Sequence, residues 1–250
     1  MNTTHEPRDM SDYTAQYRAL PFEAIQIKYR RALVLRQVQQ YAPKRLLEIG
    51  CGDLPLFTDL PDDIEITVLE PAPEFAANAR QLSEGRSCVN VVQCFVENYA
   101  PEKIDFDMII LSCLLHEVND PAAMLASVSS LCGPMTLLHV NVPNAVSLHR
   151  LLAAAMGLIS DPGAQSDTQR MMQQRAATYD AANLQEVLAQ AGFTVAEHGS
   201  LFVKPFTHKQ MQRLVDEGFM TTIMLDGLDK LVNSLPEFGS ELWANARKTK

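Results

Sequence analysis

The segment Arg45-Leu-Leu-Glu-Ile-Gly-Cys-Gly-Asp53 constrains this chain more than any other. A short apolar run passes directly into two glycines one residue apart, with Glu48 and Asp53 on either side. Glycine reaches backbone conformations closed to other residues, and its missing side chain lets a ligand approach the main chain. A buried strand followed by such a turn and a helix builds a nucleotide-sized crevice at the carboxyl end of a parallel sheet.

The flanking sequence supplies the rest of such a sheet. Apolar residues at helical spacing from Phe22 to Tyr41 predict an amphipathic helix, ended by Pro43, that leads into the first strand. Further strands are expected at Ile64–Leu69, Val89–Phe95, Phe106–Ser112 and Met135–Val142. Helices are expected over Glu74–Leu82 and from Asp120-Pro121 to Cys132-Gly133. The alternation stops at Pro143. Residues 143–178 hold a helical apolar segment, Leu148–Ile159, and a polar stretch, and an insertion of that length after a strand reads as a functional cover. Asp180 caps the next helix. Phe193–Glu197 and Leu201–Lys204, on either side of His198-Gly199-Ser200, then read as an antiparallel hairpin. A capping box at Thr207–Gln210 opens C-terminal helices, which either pack on the sheet or form a homodimer contact. The fold expected is α/β: a doubly wound, mostly parallel seven-stranded sheet closed by an antiparallel hairpin, with a helical lid insertion. Residues 1–43 form a lid and lead-in helix, 44–206 the sheet domain, and 207–250 the C-terminal helices.

A net charge of -9 argues against nucleic acid as a partner, and Lys28, Arg30 and Arg31 read as a solvated helix face. No apolar run is long enough to cross a bilayer. Five cysteines without a CxxC pair read as reduced residues of a cytoplasmic protein. No metal is expected, because His116, His139 and His149 follow no familiar ligand spacing.

Glu70 ends the second strand, eighteen residues after Gly52, where a carboxylate can accept hydrogen bonds from both hydroxyls of a ribose. A dinucleotide turn wants a third glycine three residues after the second, and Pro55 stands there. Glu48 and Asp53 would also repel a diphosphate and welcome a cation. A cofactor without phosphates is indicated.

Leu-Leu-Glu-Ile-Gly-Cys-Gly, Val-Leu-Glu-Pro around Glu70, and Phe-Asp-Met-Ile-Ile-Leu followed by Leu115-His-Glu-Val118 resemble the successive motifs of class I S-adenosylmethionine-dependent methyltransferases. The resemblance covers roughly residues 44–205 and implies their Rossmann-like fold. It implies that Glu48, Gly50, Cys51 and Gly52 face the methionine part of S-adenosyl-L-methionine, and that Glu70 and Pro71 hold the ribose. Phe95 and Val96 would occupy the adenine place, with Phe95 either stacked on the base or part of the core. Leu111 and Ser112 would complete the cofactor site, and S-adenosyl-L-homocysteine would be the product. His139-Val-Asn-Val-Pro-Asn144, Ser147-Leu-His-Arg150 and Lys204-Pro205-Phe206 resemble a bacterial subgroup linked to surface-glycan and specialised-metabolite biosynthesis.

A hydroxyl acceptor benefits from a general base, for which His116, His139 and His149 are the candidates. Each has a plainer alternative: bracing a loop, filling the core or capping a helix. Asn141, Asn144 and Arg150 would bind the acceptor, Arg150 suiting a carboxylate or phosphate. Tyr17 would also bind the acceptor and, with Tyr13, would belong to a lid over the site that excludes water, the plainer alternative being a disordered tail with two incidental tyrosines. The expected activity is methyl transfer to an oxygen or nitrogen of a polar small molecule. The alternatives are a nicotinamide-dependent oxidoreductase using the same crevice, or an S-adenosylmethionine-binding protein that acts on a protein partner.

Overall fold

The computed structural model describes residues 13–164 and 178–249. Helices α1 (Tyr13–Arg18) and α2 (Glu23–Tyr41) precede β1 (Arg45–Ile49), β2 (Glu65–Leu69), α3 (Pro73–Leu82), β3 (Val89–Val92), β4 (Met108–Ser112), α4 (Pro121–Ser130) and β5 (Leu137–Pro143). Then come α5 (Leu148–Ala155), α6 (Ala181–Gln190), β6 (Phe193–Leu201), α7 (His208–Asp216), α8 (Thr222–Lys230) and β7 (Glu241–Lys248). The strands form one seven-stranded sheet in the order β3-β2-β1-β4-β5-β7-β6, with β7 antiparallel to both neighbours. β1 pairs with β2 on one side and β4 on the other, so the winding reverses there and a crevice opens at their carboxyl ends.

Strand periodicity builds the core. On β4, Ile109 and Leu111 face Leu125 of α4 and Leu184 of α6. Met108 and Ile110 face the opposite layer, with Val34 and Val38 of α2. A smaller cluster joins Phe22, Tyr29 and Leu33 to Phe202, Met211 and Leu225, so α7 and α8 pack against the start of α2 within the chain. No described helix is long and apolar enough to cross a membrane.

The closing hairpin differs from expectation. Phe193–Leu201 is one strand, unbroken at His198-Gly199-Ser200, and its partner is Glu241–Lys248, so residues 207–250 are not all helical. Gly199 looks like a turn residue but serves packing. It pairs with Trp243, and a Cβ there would lie 3.0 Å from the indole. In β7, Leu242, Ala244 and Ala246 alternate into the core. The alanines and the flanking Glu241, Arg247 and Lys248 favour helix by intrinsic propensity, and burial in the sheet overrides it. β3 stops at Val92 and β4 starts at Met108, both shorter than expected. Of the expected cover, α5 and residues up to Ala164 are described, while 165–177 lie outside the described residues, as do 1–12 of the lid.

Candidate active site

β1 ends at Ile49 and the chain turns through Gly50 and Gly52, whose φ angles of +74° and +57° fall where other residues are strained. The Gly50 N–H donates to the Leu69 carbonyl at 2.8 Å, tying the turn to the end of β2. Glu70 follows, almost fully buried. Its Oε2 accepts from the N–H groups of Cys51 (3.0 Å) and Gly52 (3.2 Å), and its Oε1 from that of Ala72 (2.8 Å). One carboxylate thus clamps the glycine turn and the start of α3 together. Burial pushes its pKa up, against these three main-chain donors.

The acidic flank is weaker than the sequence suggests. Glu48 accepts from the Leu56 N–H, and burial raises its pKa to about 8, so near neutrality it is mostly uncharged. Asp53 is paired with Arg18 of α1. Glu70 is left as the carboxylate at the turn without a cationic partner among the described residues. Arg30 and Arg31 are not a solvated face either. Arg31 donates to Asp59, to the hydroxyl of Thr58 and to the carbonyls of Leu54 and Pro55, pinning the loop after the turn.

A single cavity of about 930 Å³ runs along the carboxyl edge of the sheet. The wall at the glycine turn holds Glu48, Gly50, Cys51, Gly52, Glu70, Pro71, Phe95, Val96 and Ser112, together with Tyr17. Phe95 is half-buried and on the wall, while Leu111 lies beneath it in the core and does not reach the cavity. Tyr17 closes over the turn: a Cβ on Gly52 would be 3.8 Å from its hydroxyl. The Tyr13 side chain lies outside the described residues.

The far wall holds His116, His149, Arg150 and Asn144, but not His139 or Asn141. His139 is in the sheet, stacked on Trp243, with Nδ1 2.7 Å from Asn245 Oδ1. Burial lowers its pKa to about 4, and as a core residue out of reach of the cavity it is no candidate base. Asn141 lies beneath the floor, donating to Glu241 at 3.0 Å. Asn144 reaches the wall with its amide already committed. It donates to the carbonyls of Glu237 and Gly239 and accepts from the Val146 N–H, so it shapes the loop that starts α5.

His149 faces the cavity with Nδ1 3.1 Å from the Ser147 hydroxyl. Burial, reinforced by Lys204, His208 and Arg150, depresses its pKa to about 2, too weak for a general base. The Arg150 guanidinium donates to the carbonyls of Pro162 and Ala164, holding the described end of the cover rather than standing open for an anion. His116, in the turn after β4, is on the cavity wall with Nε2 3.9 Å from Glu117 Oε1.

Several site residues escape a sequence reading. Glu241, at the start of β7, accepts from Arg30, Gln26 and Asn141, and Arg30 also pairs with Glu23. This buried network floors the cavity, and it depends on β7, which the sequence disguises. Lys204 and His208 line the same wall, and a lysine inside an apolar Leu-Phe-Val-Lys-Pro run was the available signal. Among the described residues no group of three or more histidine, cysteine or acidic side chains could hold a metal ion.

Solved structures share this architecture. N-methyltransferase NodS from Bradyrhizobium japonicum, in complex with S-adenosylhomocysteine, is 14% identical, with coverage of 97% of this chain and 100% of that one and a TM-score of 0.58. For 1,6-didemethyltoxoflavin-N1-methyltransferase from Burkholderia thailandensis the values are 17%, 96%, 87% and 0.59. For the plantazolicin methyltransferase BamL they are 18%, 96%, 91% and 0.60. At such identities the likeness is one of fold. No curated protein matches the sequence significantly. A family model described as a methyltransferase domain matches residues 22–198, well over half of the 250 and enclosing the glycine turn, the Glu70 clamp and His116. By that match the chain belongs to the methyltransferase-domain family.

Proposed function

We propose that the protein transfers the methyl group of S-adenosylmethionine to an oxygen or nitrogen of a polar small molecule, leaving S-adenosylhomocysteine. The observation that carries this is the continuity of one cavity from the Glu70-clamped turn to the wall holding His116 and His149. Its volume is near the top of the range of about 300–1,000 Å³ for small-molecule sites, which leaves room for a cofactor and an acceptor together. The donor set suits a cofactor without phosphates. Beside the glycine turn Arg18 is engaged by Asp53 and Arg31 by Asp59, so a diphosphate there would meet no open cation among the described residues. That chemistry, together with the family, favours S-adenosylmethionine over a nicotinamide dinucleotide.

When bound, the cofactor supplies an activated methyl group on a sulfonium. The rest falls to the chain. Glu70 Oε2 already accepts two main-chain bonds, whereas Oε1 accepts one and keeps a lone pair for a ribose hydroxyl. Phe95 and Val96 offer apolar surface to the base, and Tyr17 keeps water from the turn. On this reading His116, on the cavity wall with Glu117 Oε1 3.9 Å from its Nε2, takes the acceptor's proton. Alignment of acceptor and methyl by the cavity walls supplies much of the rate.

Calorimetric titration with S-adenosylhomocysteine and with NAD tests the cofactor, and binding of NAD alone would overturn the reading. For the chemistry, His116→Ala should lower kcat on a hydroxyl acceptor roughly 10²-fold or more. His149→Ala should chiefly raise KM. A His116→Ala enzyme with kcat within about threefold of wild type removes the base assignment.

A further inference from the structure

Lys204 is 1% exposed and lies on the wall of the cavity. Its Nζ is 3.3 Å from Nδ1 and 3.2 Å from Nε2 of His208, and it forms no ion pair with a carboxylate among the described residues. A buried ammonium without a counter-ion is costly, and a site that retains one has a use for it.

The surrounding charges define that use. Glu23 and Glu241 act on Lys204 from α2 and β7, and Arg30 and Arg150 oppose them from α2 and α5. Both carboxylates are already engaged by Arg30. His149 and His208 are kept neutral by burial and by the cations around them. Asp161 acts on Arg150, and Glu23 also lies 3.9 Å from His208, so Lys204 is the cation of this group left without a carboxylate in ion-pair contact among the described residues. The first turn of α7, at His208 and Lys209, belongs to the same wall. A helix N-terminus also favours negative charge.

We propose that Lys204 and His208, with His149 beside them, seat a single anionic group of the methyl acceptor, a carboxylate or a phosphate ester. The inference rests on the methyl-transfer reading above and narrows its acceptor to an acid. The ammonium offers three rotatable donors and a point charge, and a neutral His208 adds an N–H. Arg150, the anion ligand expected from the sequence, is occupied by the cover's carbonyls, and Lys204 takes that part.

Binding of the group would also hold the lysine proton. Burial brings Lys204 down to about 7, so anion affinity should weaken as pH rises through that value.

The test titrates benzoate, phenyl phosphate and neutral benzamide into the full chain saturated with S-adenosylhomocysteine. One of the two anions should bind at least about tenfold tighter than benzamide, as expected for one unit charge met at short range, and the tighter one identifies the group. Lys204→Met and His208→Gln should each erase most of that preference, while Lys204→Arg should retain part of it. The preference should fade above pH 7 in the wild type and be flat with pH in Lys204→Met. Benzamide binding as tightly as both anions, no detectable anion binding, or an unaltered preference in both Lys204→Met and His208→Gln would each overturn the proposal. Failure of S-adenosylhomocysteine itself to bind would instead strike the methyl-transfer reading.

Discussion

Replacing Glu70 tests how the cofactor turn is held. Its carboxylate is 3% exposed and accepts from the main chain at Cys51, Gly52 and Ala72. A hydrogen bond to a charged group contributes about 1.5–3 kcal/mol. The sum must be discounted, because burial disfavours the ionised form and cavity water can re-solvate the Gly52 N–H. Glu70→Ala should therefore cost about 2–4 kcal/mol of stability, and Glu70→Gln about 1–3 kcal/mol. The glutamine oxygen can still serve Cys51 and Gly52, but its NH2 is turned against the Ala72 N–H. S-adenosylhomocysteine affinity should fall in the same order, by roughly 10- to 100-fold for alanine, as both turn geometry and ribose contacts are lost. Urea unfolding at neutral pH and calorimetric titration read the two effects. Glu48→Gln is the internal contrast: that side chain is mostly protonated below pH 8, so its amide should be nearly neutral in both assays. Glu70→Ala within about 0.5 kcal/mol of wild type, with unaltered affinity, would refute the clamp.

His139 predicts an acid limb of stability. The unfolded ring takes its proton near 6.5 and the folded one near 4, so stability is complete above 6.5 and declines as pH falls towards 4, by about 3 kcal/mol at most. His139→Gln should flatten that part of a urea-stability profile while leaving S-adenosylhomocysteine affinity within about twofold, and a twentyfold loss of affinity would return His139 to the site. Arg18→Ala cuts the tie between α1 and Asp53, and should speed S-adenosylhomocysteine release at least about threefold in stopped flow with little change in melting temperature. Unchanged release would remove α1 from the lid.

The gathering of the glycine turn and Glu70 on one cavity wall was legible because that geometry is local. Gly50, Gly52 and Glu70 are consecutive in the logic of strand, turn and strand, and a sequence displays that order directly. The far side of the cavity was not. Arg30, Glu241 and Lys204 come from α2, β7 and the segment after β6, and they meet only through the sheet. Once β7 was read as helix, nothing in the chain linked Arg30 to Glu241. Histidine identity misled in a similar way, since His139 and His149 are separated by one strand end yet one faces Trp243 and the other the cavity. The two-residue strand period puts His139 and Asn141 on one face, but it does not say that this face lies under the floor of the cavity.

The place of β7 in the sheet bears on how the chain is made. It is synthesised after β5 and β6 yet lies between them, so until it arrives β5 has an open edge and β6 has no partner in the sheet. On a ribosome the nascent domain would expose a bare strand and a half-built pocket, with Arg30 still lacking Glu241. Such an edge invites pairing with another chain. Chaperone demand and aggregation during expression should therefore track the delivery of residues 241–248, and slowing translation just upstream of them should lower soluble yield more than the same pause placed before β4.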